Sequence, residues 1–138
     1  MSKLHSMIEL HEGKKYKPYR DTVGKLTIGI GRNLDDRGLS EDEVQLLFSN
    51  DVRIATEELE RAFPWTRTLD PVRQAVLIDM SFNMGIPVLS QFKNTLGFIQ
   101  RGEYERAAFA MLQSKWASQV GNRAVRLSEM IRTGEWPT

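Results

Sequence analysis

His11-Glu12-Gly13-Lys14-Lys15-Tyr16-Lys17-Pro18-Tyr19-Arg20-Asp21-Thr22-Val23-Gly24-Lys25-Leu26-Thr27-Ile28-Gly29-Ile30-Gly31 is where the chain changes from one backbone period to another. Upstream, Ser2 can cap a helix in which Leu4, Met7 and Ile8 share one face, and Gly13 is the residue type expected just past its end. After Gly13 the helical period stops. Asp21-Thr22-Val23-Gly24 reads as a turn between two short strands, with β-branched Thr27 in the second. A helix running into a hairpin thus places Glu12 at a helix end, Asp21 in a turn and Thr27 on a strand. Two carboxylates held apart by fixed backbone are what glycosidic hydrolysis requires, one protonating the leaving oxygen and one activating water. At a helix C-terminus the peptide dipoles disfavour the carboxylate form, which helps an acid keep its proton.

Working outward, residues 32–38 read as a polar loop. Ser40 and Glu43 form a capping box, and Val44, Leu47, Phe48, Ala55, Leu59 and Phe63 recur at helical spacing up to Pro64. Asp70 caps the next helix, Pro71 occupies its first position, and Gly85 ends it. Its apolar content, Phe82 included, marks it as core. Further helices are expected over 88–100, 104–117 and 122–132, with Trp116 and Trp136 as packing residues. The fold class is therefore α+β and mainly helical. It comprises a small β-hairpin lobe (about 13–39), a long linking helix (about 41–63) and a larger helical lobe (about 70–138), all in one 138-residue domain.

Bulk properties narrow the function classes. With no Cys there is neither a disulfide framework nor a thiolate metal site, and His5 and His11 are too few for a His-rich one. A net charge of +1 gives little whole-molecule attraction to nucleic acid, and Lys14, Lys15, Lys17 and Arg20 read as a solvated face. No run approaches the ~20 apolar residues of a membrane span, and the N-terminus lacks the apolar core of a signal peptide. Gly29 and Gly31 are not followed by a phosphate-binding helix start. They are read as permitting close backbone approach.

Glu12, eight residues, Asp21, five residues, Thr27 and then Ile28-Gly29-Ile30-Gly31 resemble the active-site signature of the T-even phage-type lysozymes, glycoside hydrolase family 24. The similarity continues through Leu77-Ile78-Asp79-Met80-Ser81-Phe82-Asn83-Met84-Gly85, Phe92-Lys93-Asn94-Thr95-Leu96, Ser114-Lys115-Trp116, Asn122-Arg123-Ala124 and Arg132-Thr133-Gly134-Glu135-Trp136. The resemblance implies an inverting muramidase, with Glu12 as general acid and Asp21 with Thr27 directing the water. It further implies Arg123 as a support for Glu12, and Phe82 and Thr95 as substrate contacts. Departures from the family are Arg32 after Gly31, the short loop 33–38, Ala110 in place of a substrate-contacting Asn, and the near-zero net charge.

On the residues alone each position has a plainer use: Glu12 and Arg123 as helix-end charges, Asp21 as a turn residue, Thr27 as a strand former, Phe82 as core. The resemblance implies hydrolysis of peptidoglycan glycan strands without metal or organic cofactor, by a monomer that binds neither nucleic acid nor membrane stably. It implies synthesis in the host bacterial cytoplasm without a classical signal, action on the wall after release, and a separate holin for access. The rivals are a non-catalytic peptidoglycan-binding or structural module and a lytic transglycosylase, in which substrate rather than water attacks.

Overall fold

The computed structural model describes residues 2–137, and the chain divides into two compact units, Met1–Leu47 and Phe48–Thr138. The first opens with α1 (Lys3–Glu12), capped by the Ser2 hydroxyl, which accepts from the His5 N–H at 3.1 Å. Gly13, at φ +78°, ends it, its N–H closing on the Glu9 carbonyl. Three antiparallel strands follow in the order β1 (Lys15–Arg20), β2 (Leu26–Gly29), β3 (Arg32–Asn33), so β2 is central. Register is set by Tyr19 opposite Thr27, and Thr27 opposite Asn33. Pro18 has no N–H to donate, and it lies where the β1–β2 pairing is irregular, on an edge strand that tolerates the loss.

Helix α2 (Glu41–Ala62) contains the boundary between the units. The Ser40 backbone N–H donates to Glu43 Oε1 at 2.8 Å, half of the expected capping box, and Glu41, Asp42 and Glu43 place negative charge in the first turn.

The second unit contains the core. After a 3₁₀ turn at Pro64–Thr68 come α3 (Pro71–Met84), α4 (Ile86–Leu89), α5 (Lys93–Gln100), α6 (Tyr104–Leu112), α7 (Lys115–Val120) and α8 (Asn122–Thr133). Helix α6 packs on α5 and α8, and α3 packs on α8. Leu59, Val76, Leu77, Met80, Leu89, Ile99, Met111 and Ile131 are fully buried among them. Asp70 accepts from the Arg73 N–H at 3.1 Å and Pro71 follows it, as expected of this helix start. Arg73 also ties α3 to the end of α8: its Nε donates to the Ile131 carbonyl at 2.6 Å and its Nη2 to that of Arg132 at 3.2 Å. Its guanidinium lies 3.5 Å from the centre of the Tyr104 ring.

Several expectations need correction. Residues 32–38 are not all loop: Arg32 and Asn33 form β3, which satisfies backbone groups of β2, and two residues are too few for a period to show. The expected helix over 88–100 is two helices, because Ser90–Phe92 turn so that Leu89 is buried and Phe92 packs edge-on against Trp116 at 6.0 Å. The helix over 104–117 also breaks, and Ser114 caps the new start by accepting from the Ala117 N–H at 3.1 Å. Phe82 is not core. It is 44% exposed and stands edge-to-face with Phe48, at 6.1 Å between ring centres. Trp116 is buried as expected, its Nε1–H donating to Asn83 Oδ1 at 2.8 Å, whereas Trp136 is exposed, lying beyond the last helix. No residue of α1 is buried, Leu4, Met7 and Ile8 included. Among the described residues no helix is long and apolar enough to cross a membrane.

Candidate active site

Glu12, Asp21 and Thr27 all fall in the first unit, each placed by a different local device. Glu12 is the last residue of α1, exposed, and no described residue of this unit hydrogen-bonds its carboxyl. Its side chain lies against Gly31: a Cβ built on Gly31 would stand 2.7 Å from Glu12 Oε2 and 2.9 Å from Cδ. The end of α1 and the β2–β3 reversal are therefore in contact through the acid itself.

Asp21 closes its own turn. Its Oδ1 accepts from the N–H groups of Val23 at 3.0 Å and Lys25 at 2.8 Å, while its backbone N–H bonds the Lys25 carbonyl at 2.9 Å. Oδ2 accepts nothing from the described residues of this unit, so one oxygen is anchored and the other is available. Thr27 sits on the central strand and is buried. Its hydroxyl donates to the Lys25 carbonyl at 2.9 Å, which leaves the oxygen as an acceptor only. Lys25 thus connects to both residues.

An ion pair steadies the strand behind Gly31. Arg32 Nη1 donates to Glu43 Oε1 at 2.6 Å and to the Gly38 carbonyl at 3.2 Å, linking β3 to the start of α2. The Arg32 guanidinium, then the Ser40 N–H and hydroxyl, push the Glu43 carboxyl down to about 2, and Glu43 raises Arg32 in turn. On the opposite edge of this segment Asp35 accepts the Leu26 N–H at 2.7 Å.

The remaining candidates lie in the second unit and are not gathered at one point. Arg123 donates from Nε to Asp79 Oδ1 at 2.9 Å, fastening the start of α8 to α3. Thr95 is buried and lines a cavity of about 420 Å³ with Phe98, Phe109 and Ala110. Phe82 lines a different one, of about 260 Å³, with Asp51, Ile54 and Glu58. Thr95 and Ala110 are brought together; Phe82 is apart from them.

Sequence reasoning had no role for Glu43 beyond its cap, and none for Asp79 as the partner of Arg123. A signal existed for Asp79, a lone charge inside the apolar run Leu77-Ile78-Asp79-Met80, since a charge so placed needs a partner. For Gly31, close approach was readable but the approaching group was not. Gly29, read in the same way, has nothing within 4 Å of a built Cβ.

Comparison with known proteins agrees with this architecture. The family model described as phage lysozyme matches residues 9–132. The chain is 30% identical to "Probable T4-type lysozyme 1" of Dictyostelium discoideum, covering 97% of this chain and 96% of that protein. It is 28% identical to "Probable T4-type lysozyme 2" of the same organism, with the same coverage of 97% and 96%. Likeness of 26% to the "Pre-baseplate central spike protein Gp5" of Enterobacteria phage T4 spans 93% of this chain but 27% of that longer protein. A mainly helical chain with a small three-stranded antiparallel sheet, matched by that model from α1 to the last turn of α8, belongs to the phage lysozyme family.

Proposed function

We propose that this lysozyme-family chain hydrolyses the β-1,4 bond between N-acetylmuramic acid and N-acetylglucosamine in peptidoglycan, with inversion at the anomeric carbon. Glu12 gives its proton to the glycosidic oxygen as the bond to the sugar C1 breaks. A water attacks C1 from the opposite face and gives a proton to Asp21. The observation that carries this reading is the division of labour at the Asp21 turn. One carboxylate oxygen is fixed by two backbone N–H groups and the other is left for a proton. The Thr27 oxygen, an acceptor only, suits the second hydrogen of the same water. A water so held keeps a lone pair for C1, and that favours hydrolysis over intramolecular attack by the substrate.

Arg123 is proposed as a supporting residue of this reaction, and Phe82 and Thr95 as substrate contacts. The biological role proposed is lysis of the bacterial wall by a monomer that reaches the glycan strands after release, with a separate holin opening the way.

Mass spectrometry of digested, purified peptidoglycan tests the assignment. Reducing muropeptides without 1,6-anhydro ends are expected, and NMR of the first product formed should show the α anomer. Anhydro ends as the main species would make the chain a transglycosylase. Binding without any cleavage would make it an inert module.

A further inference from the structure

Among the glycines of the first unit, Gly31 alone has another residue within 3.0 Å of where its Cβ would stand, and that residue is Glu12. Oε2, Cδ and Cγ of the acid lie 2.7, 2.9 and 3.2 Å from that point. The bare Cα of Gly31 is a seat that only glycine can provide. We propose that Gly31 is a positioning residue of the reaction, the surface against which the Glu12 carboxyl is set for proton transfer. This rests on the reading of Glu12 as general acid.

The strand side of the contact is the stiff one. Gly31 lies in the tight reversal between β2 and β3, at φ +76°, and the next residue, Arg32, is bound to Glu43 and to the Gly38 carbonyl. The acid side is compliant, since Glu12 is exposed at a helix end with no hydrogen bond to a described residue of its unit. A methyl group on Gly31 would therefore displace the carboxyl rather than the strand. To regain ordinary contact, Oε2 would have to retreat from 2.7 Å to at least 3.4 Å. Misplacement of a reacting group by ~1 Å can cost ~100-fold in rate.

The same fold supplies the control. Gly29 has φ +70° in the same hairpin, and a Cβ there meets nothing within 4 Å. Gly29→Ala and Gly31→Ala thus impose the same kind of backbone strain, but only the second touches the acid.

The test compares these variants on peptidoglycan fragments and follows wild-type Glu12 by NMR. A nuclear Overhauser effect between the Glu12 γ-protons and the Gly31 α-protons is expected in the wild type. Both variants should melt lower by similar amounts. Only Gly31→Ala should lose kcat, by at least about tenfold, with KM within about twofold of wild type.

Absence of that Overhauser effect overturns the proposal even if Gly31→Ala does not fold, and so does an equal fall of kcat in both variants. Glu12→Gln separates the two layers. If it is inactive while the alanine variants fall equally, the acid stands and the seat is refuted. Full turnover in Glu12→Gln removes the acid, and with it any role for Gly31.

Discussion

Replacing Arg73 with alanine should be among the most damaging single changes available outside the site. Its side chain is 13% exposed and meets three kinds of partner at once. Two donors reach the Ile131 and Arg132 carbonyls at 2.6 and 3.2 Å, near the C-terminus of α8 where carbonyls have no helical partner. The Asp70 carboxylate lies at 3.2 Å and the Tyr104 ring centre at 3.5 Å. A hydrogen bond to a charged group is worth about 1.5–3 kcal/mol and a partly desolvated cation–π contact about 0.5–2 kcal/mol. These terms share one side chain and do not add fully, so Arg73→Ala is expected to cost about 3–5 kcal/mol, near 10–17 °C in Tm for a chain of this size. Arg73→Lys keeps the charge without the planar fork and should fall between the two. Urea titration by circular dichroism, with an unchanged m-value, is the assay. A loss below about 1 kcal/mol for alanine, or lysine as stable as arginine, would refute the idea that the fork ties α3 to α8.

Asp21→Asn should leave melting nearly unchanged, because an amide oxygen can take the place of Oδ1 in the turn, yet abolish hydrolysis; a turnover assay beside a melting curve checks both. Leu77 is fully buried, so Leu77→Ala should cost about 2–5 kcal/mol in denaturant titration, and unchanged stability would mean that α3 faces elsewhere. Glu43, pushed down to about 2 by Arg32 and Ser40, adds stability that is complete above its unfolded value near 4.5 and is lost as pH falls through its folded value. Glu43→Gln should therefore melt lower than wild type at neutral pH, with the gap closing between about pH 4.5 and 2. A gap that widens on acidification would contradict the ion pair.

Helix starts and stops were legible because they obey local rules: the Ser2 and Asp70 caps, Pro71, Gly13 and Gly85 all stand where their neighbours alone require. The breaks at Ser90–Phe92 and Gln113–Ser114 were less so, since no glycine or proline marks either. The first follows from where Leu89 and Phe92 must pack. Phe82 misled because its helical period matches the core face, while its depth depends on what α2 sets beside it, an exposed Phe48. At the site, the motif gave the residue types and their order. The turn role of Asp21 was readable because its bonds are local, to Val23 and Lys25, whereas the seating of Glu12 on Gly31 was not, because it depends on a chain reversal that brings distant residues together.

The division at α2 also sorts the chromophores. Trp65, Trp116 and Trp136 all belong to the second unit, while the first holds Tyr16 and Tyr19 and no tryptophan. Indole emission is therefore a gauge of the helical unit, with buried Trp116 its most responsive element. A lesion confined to the hairpin, such as Gly31→Ala, inactivates the protein on this reading while the fluorescence trace looks native. The ring resonances of Tyr16 and Tyr19, both on β1, are the signals in which the integrity of the Glu12, Asp21 and Thr27 segment is written.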